Sequence, residues 1–205
     1  MVLFSDTYKT IAAPSEAAFT DRGSRFIAFA YPVTAEEQAK PLLDALRKQH
    51  PRAVHFCRAM RLTPDRSVFR ISDDGEPAGS AGRPILNTLL SADVTNIFVV
   101  VVRYFGGTLL GVPGLINAYK TVTVQALASA DIVERTISDI YRIEFGYAVM
   151  NDVMKLIKQH DLPVIHQQFD NRCLLEIAIA KGNVNRMIDM VGDISGVKST
   201  YLGTI

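Results

Sequence analysis

The residues able to do chemistry concentrate between Ser72 and Gly114. The run Ser72-Asp73-Asp74-Gly75-Glu76-Pro77-Ala78-Gly79-Ser80-Ala81-Gly82-Arg83-Pro84 sets carboxylates among glycines and closes on an arginine. Carboxylate oxygens suit a hard cation such as Mg²⁺, which fills its other positions with waters and phosphate oxygens. The same aspartates can instead brace a turn by accepting bonds from nearby backbone N–H groups. A second loop, with Gly106, Gly107 and Gly111, follows Arg103-Tyr104-Phe105. Each loop runs into a helical pattern, and the N–H groups free at a helix start suit an anion. Seven of the 13 glycines lie between Gly75 and Gly114. Glycine loses the most backbone entropy on folding, so this density points to unusual backbone angles or a close approach.

Arg103 stands at the C-terminal end of the apolar run Ile97–Val102. Ligands of open α/β sheets gather at such strand ends, and a guanidinium can fork onto phosphate or carboxylate. The alternative is an internal pair with Asp73 or Asp74. Arg83 either contacts the same anion or is solvated. Tyr104 and Phe105 either stack on a base or join the core. His55 and Cys57 lie two apart on a strand and so share a face. A thiol and an imidazole can act as nucleophile and base. No third, orienting group accompanies them, and buried packing is the expected role of Cys57. His50, His160 and His166 are isolated. Neither the P-loop pattern nor G-x-G-x-x-G occurs.

The candidate ligand- or phosphate-binding set is therefore Asp73, Asp74, Gly75, Glu76, Gly79, Gly82, Arg83, Arg103, Gly106, Gly107 and Gly111, gathered around one cleft. No catalytic residue is assigned, and the residues name no cofactor or metal.

The elements that must position this set follow from periodicity. Tyr8–Ala12, Ala17–Thr20, Arg25–Tyr31, Ala53–Leu62, Ser67–Ile71 and the run from Ile97 read as strands. Thr34 is placed to cap a helix carrying Ala39, Leu42, Leu43 and Leu46 at helical spacing. Pro84 suits the first turn of a second helix. A long third helix runs from Gly114 to about Ala130. The alternation then restarts at Ser138. Asn151-Asp152 and Asn183 are placed to cap two further helices, and strands cover 138–148, 163–169, 173–180 and 196–202. The order β-α-β-β-α-β is ferredoxin-like. The boundary is placed at residues 134–137, giving domains 1–135 and 136–205.

Net charge is +1 over 205 residues, which excludes a global basic field for nucleic acid and leaves only a local surface. Cys57 and Cys173 match no zinc spacing and suit reduced thiols of a cytoplasmic protein. No signal-peptide pattern opens the chain, and no apolar run approaches the roughly 18 residues of a membrane helix.

The first loop, together with Val101-Val102-Arg103-Tyr104-Phe105-Gly106-Gly107-Thr108-Leu109-Leu110-Gly111, resembles the signature of the IMPACT (YigZ) family. Ser24-Arg25-Phe26-Ile27, His55 and Cys57 add to the match. The resemblance spans essentially the whole chain and points to the bacterial two-domain form, without the extra N-terminal interaction domain of eukaryotic members. Bacterial relatives often carry a second histidine after His55; this chain has Phe56, so no role resting on a histidine pair carries over.

The resemblance implies an α+β protein. Its N-terminal domain would be similar to a small-subunit ribosomal-protein domain with a left-handed β-α-β unit, where sequence alone leads to the usual right-handed one. Its C-terminal ferredoxin-like domain would be similar to domains of elongation factor G. Eukaryotic members regulate translation under stress by competing for an activator of an initiation-factor kinase. The expected function is a translation-associated regulator binding RNA, the ribosome, a nucleotide or another phosphate-bearing ligand through the two glycine-rich loops. The alternatives are a metal-assisted enzyme acting on a phosphorylated or peptide-like small molecule, and an interaction module using the C-terminal sheet. The oligomeric state is not set by the sequence.

Overall fold

The computed structural model describes residues 6–205. The chain start, read above for a signal segment, lies in part outside the described residues. The chain divides into two compact units, Tyr8–Arg135 and Thr136–Ile205, the latter with Asp6 and Thr7.

In the first unit, β2 (Ser15–Asp21), β3 (Ser24–Pro32), β4 (His55–Leu62), β5 (Val68–Ser72) and β6 (Ile97–Tyr104) form one sheet in the order β2-β3-β6-β4-β5. Every neighbouring pair is antiparallel. The apolar run of β6 is continuous because both faces of the sheet are covered. Val99 and Val101 join the core under α2 (Gly82–Ser91) and α3 (Gly111–Ala128). Phe98, Val100 and Val102 join a separate core with Leu46, under α1 (Ala39–Gln49). A two-stranded sheet pairs β1 (Thr7–Ile11) with β7 (Ile132–Thr136).

The sheet order fixes a point of chirality. β3 and β4 both run antiparallel to β6, so they are parallel to each other, and α1 connects them. β5 and β6 are parallel for the same reason, and α2 connects them. Rotating the sheet in its plane superimposes the direction of one crossover on the other. Their helices nevertheless lie on opposite faces. The two crossovers therefore have opposite hands, and one of them is left-handed, against the strong right-handed rule.

In the second unit, β8 (Ser138–Phe145), β9 (Val164–Phe169), β10 (Cys173–Ala180) and β11 (Lys198–Thr204) form an antiparallel sheet in the order β11-β8-β10-β9. α4 (Met150–Gln159) and α5 (Val184–Gly192) pack on one face over Ile143, Phe145, Leu175 and Ile177. This is the ferredoxin-like arrangement. The other face carries the Arg142–Glu176 pair at 2.8 Å, from residues directly opposite in register.

Local details differ from the sequence reading. Thr34 does not cap α1 through its side chain. Gln38 does the work in reverse, its Oε1 accepting from the N–H of Thr34 at 2.7 Å and of Ala35 at 3.0 Å. A short 3₁₀ turn at Glu36–Gln38 then leads into α1. Asn151 and Asp152 lie inside the first turn of α4, after the cap position Val149. Asn183 takes the cap position of α5 without a side-chain bond. α3 begins at Gly111, three residues before Gly114. The boundary placed at 134–137 falls in the last residues of β7, whose partner β1 lies at the other end of the unit's sequence.

Ile177 is fully buried beneath α4 and α5. Ile177→Ala should lower unfolding stability by about 2–5 kcal/mol, the cost of lost burial plus a cavity. Chemical denaturation followed by circular dichroism measures this, and an unchanged midpoint would contradict the placement.

Candidate functional site

The β6 end bearing Arg103 is the meeting point of the motif residues. Arg103 lies opposite His55 on β4, and Phe26 on β3 flanks it. Alternation puts Phe26, Cys57 and Val101 on the face under α2 and α3, in one core. The first loop leaves β5 at this end and folds over it.

Glu76 is the centre of the cluster. Its Oε1 accepts from Arg103 Nη1 at 2.6 Å and from Tyr119 Oη at 2.7 Å. The side chains of Arg103 and Glu76 are 6% and 3% exposed. Arg103 Nη2 also reaches Ser24 Oγ at 3.4 Å. The guanidinium carbon lies 5.4 Å from the Phe26 ring centre and 5.7 Å from that of Phe105. Arg103, placed from sequence in the anion-binding set, is held here as an internal partner, and its acid is Glu76 rather than the Asp73 or Asp74 of the alternative reading.

Asp73 and Asp74 are engaged elsewhere. Asp73 Oδ2 accepts from the N–H of Gly79 at 2.9 Å, and Oδ1 from Ala81 at 3.1 Å and Gly82 at 2.8 Å. The amides assigned from sequence to an external anion at the start of α2 are thus taken by a carboxylate of the chain itself. Burial pushes the Asp73 carboxyl up, but the bonds from Gly79, Gly82 and Ala81 outweigh it and hold the group below its ordinary value of 3.8. Asp74 Oδ2 accepts from the Phe56 N–H at 2.8 Å, and Oδ1 faces Arg47 at 3.2 Å and Arg58 at 3.5 Å. The three carboxylates diverge, each toward its own protein partners. Among the described residues no group of three or more His, Cys, Asp or Glu side chains converges as metal ligands.

Cys57 and His55 complete the interior. Cys57 Sγ donates to the Asp73 carbonyl at 2.9 Å and lies 3.2 Å from Tyr119 Oη. Burial pushes its thiol far above the ordinary range; the Tyr119 bond offsets this in part, and Glu76, Asp74 and Asp73 add to the rise. Burial likewise raises the Tyr119 hydroxyl, with Cys57 and Glu76 adding to the effect. Such a thiol is a poor nucleophile. His55 Nδ1 lies 2.8 Å from the Asp74 carbonyl, which only accepts, so the proton sits on Nδ1. His55 Nε2 is 3.9 Å from Glu76 Oε2.

The second loop behaves differently. Gly106 donates to Ser24 Oγ at 3.1 Å and packs flat on Gly23. A Cβ on Gly106 would overlap the Gly23 carbonyl, and one on Gly23 would stand 2.9 Å from Gly106 O. Two glycines are required because two backbones touch. On either side of this contact the chain faces outward: Phe105 before it is 48% and Leu109 after it 81% exposed.

The two loops leave the same end of the sheet and are joined through Glu76 and Arg103. The cleft that touches the first loop, about 360 Å³, runs between α2 and α3 past Gly79 and Arg83 and does not include Gly106, Gly107 or Gly111. Sequence reasoning missed Ser24 as a bridge and Tyr119 as a donor. By helical spacing Tyr119 falls on the apolar side of α3, and a tyrosine on a fully buried face needs a partner for its hydroxyl.

Two outcomes follow. Glu76→Gln keeps the shape but leaves Arg103 buried without a counter-charge, so stability should fall by about 3–5 kcal/mol; a denaturation midpoint equal to the parent's would show that the pair is dispensable. Asp73 has a folded-state pKa below its unfolded value, so its contribution is complete above that value and lost as pH falls through the folded one. Asp73→Asn should therefore flatten the acid limb of the stability profile below about pH 4. Thermal melts of both proteins from neutral pH downward measure the difference.

The Impact N-terminal domain model matches residues 22–127. The chain is similar to the IMPACT family member YigZ of Escherichia coli, 35% identical over 186 residues that cover 90% of this chain and 91% of that protein. It is 44% identical over 97 residues to the Protein IMPACT homolog of Saccharomyces cerevisiae, which covers 45% of this chain and 37% of that protein. A crystal structure of a hypothetical protein aligns with a TM-score of 0.77 at 31% identity, covering 97% of this chain and 98% of the other. The matched domain spans both glycine-rich loops and the polar cluster they enclose, and the chain belongs to the IMPACT family.

Proposed function

We propose that this chain is a non-enzymatic, cytoplasmic, translation-associated protein that binds single-stranded RNA through its second glycine-rich loop. The observation that supports this most is the contrast between the loops. The amides of the first loop are occupied by Asp73, whereas Phe105–Leu109 is exposed at the start of α3. Single-stranded RNA is held by aromatic stacking beside phosphate contacts. Phe105 offers a ring steadied from the protein side by Arg103. Gly111 and Val112 open an 18-residue helix, where amide donors and the dipole favour a phosphate. Arg22 precedes Gly23 in the turn on which Gly106 rests, and among the described residues it has no ion-pair partner. Gly107 and Gly111 are the contact residues of this reading, and Gly106, bonded to Ser24 Oγ, anchors them. Asp73, Asp74, Gly75, Glu76, Gly79, Gly82 and Arg103 position them from behind.

Membership of a family whose eukaryotic members regulate translation supports the RNA and ribosome class of partner. Among the described residues, no helix is long and apolar enough to cross a membrane. The metal-assisted alternative draws no support from the divergent carboxylates, and Cys57 is buried, which pushes its thiol up and makes it a poor nucleophile.

Titration of a fluorescently labelled oligouridylate should show binding that weakens with added salt. Phe105→Ala removes one stacking platform and should cost roughly 5- to 150-fold in affinity. The ring is half exposed, so the melting temperature should move little. Salt-independent binding, or full affinity in Phe105→Ala, would overturn the reading.

A further inference from the structure

α2 and α3 lie side by side and leave a groove between their outer faces. Arg83, Asn87 and Ser91 recur at i, i+4 and i+8 along α2, and Ile116, Lys120 and Val124 do the same along α3. Pro84 and Thr88 form part of the floor. Val112 extends the α3 stripe by one turn toward its start. Ile116 is 39%, Val112 46% and Val124 47% exposed, and they line up on one face. Exposed apolar stripes of this kind mark contact sites. Arg83 and Lys120 have no ion-pair partner among the described residues, and no carboxylate lines the groove.

We propose that this groove docks an acidic amphipathic helix of a protein partner. Ile116 to Val124 spans about 12 Å, a little over two turns of helix. Recognition of a helix in a groove needs an apolar seam at that spacing and places charges at its rim. Here the rim supplies cations alone, so a complementary helix presents Asp or Glu to Arg83 and Lys120 and aliphatic side chains to Ile116 and Val124. RNA fits less well. Two cations neutralise few phosphates, and no aromatic side chain lines the groove for a base to stack on.

The test is a selection on the full chain with a displayed library of helical peptides about 14 residues long, counter-selected against Arg83→Glu/Lys120→Glu. Peptides enriched in Asp or Glu beside apolar residues at i and i+4 are expected. By anisotropy, such a peptide should lose about tenfold or more in affinity for the charge-reversed double variant and for Ile116→Glu. These side chains are exposed, and the double variant should melt as the parent does; if Ile116→Glu melts lower, the double variant alone carries the comparison. Phe105→Ala should leave peptide affinity unchanged, which separates this site from the RNA loop. The proposal is overturned if nothing survives counter-selection, or if surviving peptides lack acids or bind the double variant equally. It is also overturned if labelled oligouridylate, and no peptide, loses affinity in the double variant.

Discussion

Glu76 and Arg103 are both charged and both out of water, and the end of the central sheet is built around keeping them together. Removing an ion from water costs several kcal/mol even in a relaxed protein, and attraction offsets that cost only when the remaining donors and acceptors are also satisfied. Tyr119 adds a donor to Glu76 and Ser24 an acceptor for Arg103, while Arg103 Nε stays buried without a hydrogen-bond partner among the described residues and the Phe26 ring lies beside the guanidinium. Ser24 and Phe26 lie on β3 and Tyr119 on α3, so the pair ties the first loop, β3, β6 and α3 at one point. Glu76 can hold its place only if its loop has one shape. Asp73 enforces that shape through three amides, and Asp74 fastens the loop to β4 through the Phe56 N–H.

The glycine density follows from this arrangement. Gly82 starts α2 so close to β5 that a Cβ would stand 2.9 Å from Ser72 N. Gly106 and Gly23 let two turns meet backbone to backbone just beyond Arg103. The two loops thereby take opposite duties. The first turns its polar groups inward and consumes them. The second is anchored at Gly106 and then turns its apolar and amide groups outward. Near-neutral net charge is compatible with this division, since the acids beside the motif are internally neutralised and the cations Arg22, Arg83 and Lys120 remain outside.

What could be read from residues alone was what short spacing encodes. Alternation and helical recurrence located every long helix and the strands of the five-stranded and four-stranded sheets, because burial of one face repeats every two or every 3.6 residues. The glycine clusters and Arg103 marked the right end of the sheet. β7 escaped because Ile132–Thr136 carries no alternation of burial and is a strand only through β1.

Tertiary structure decided the matters that depend on long reach. Arg103 met three candidate acids within four positions of sequence, and nothing local ranks them. The choice of Glu76 comes from the loop, whose neighbouring aspartates were already satisfied by amides up to 9 residues away for Asp73 and 18 for Asp74. The roles of Tyr119 and Ser24 depend on partners 43 and 79 residues distant. The hands of the two crossovers depend on which face each helix covers, and an amphipathic helix packs equally well by pattern on either face. Sequence by itself therefore determined the elements, the location of the motif and its chemical vocabulary. Only the folded chain determined which charges neutralise each other and which groups are left facing the solvent.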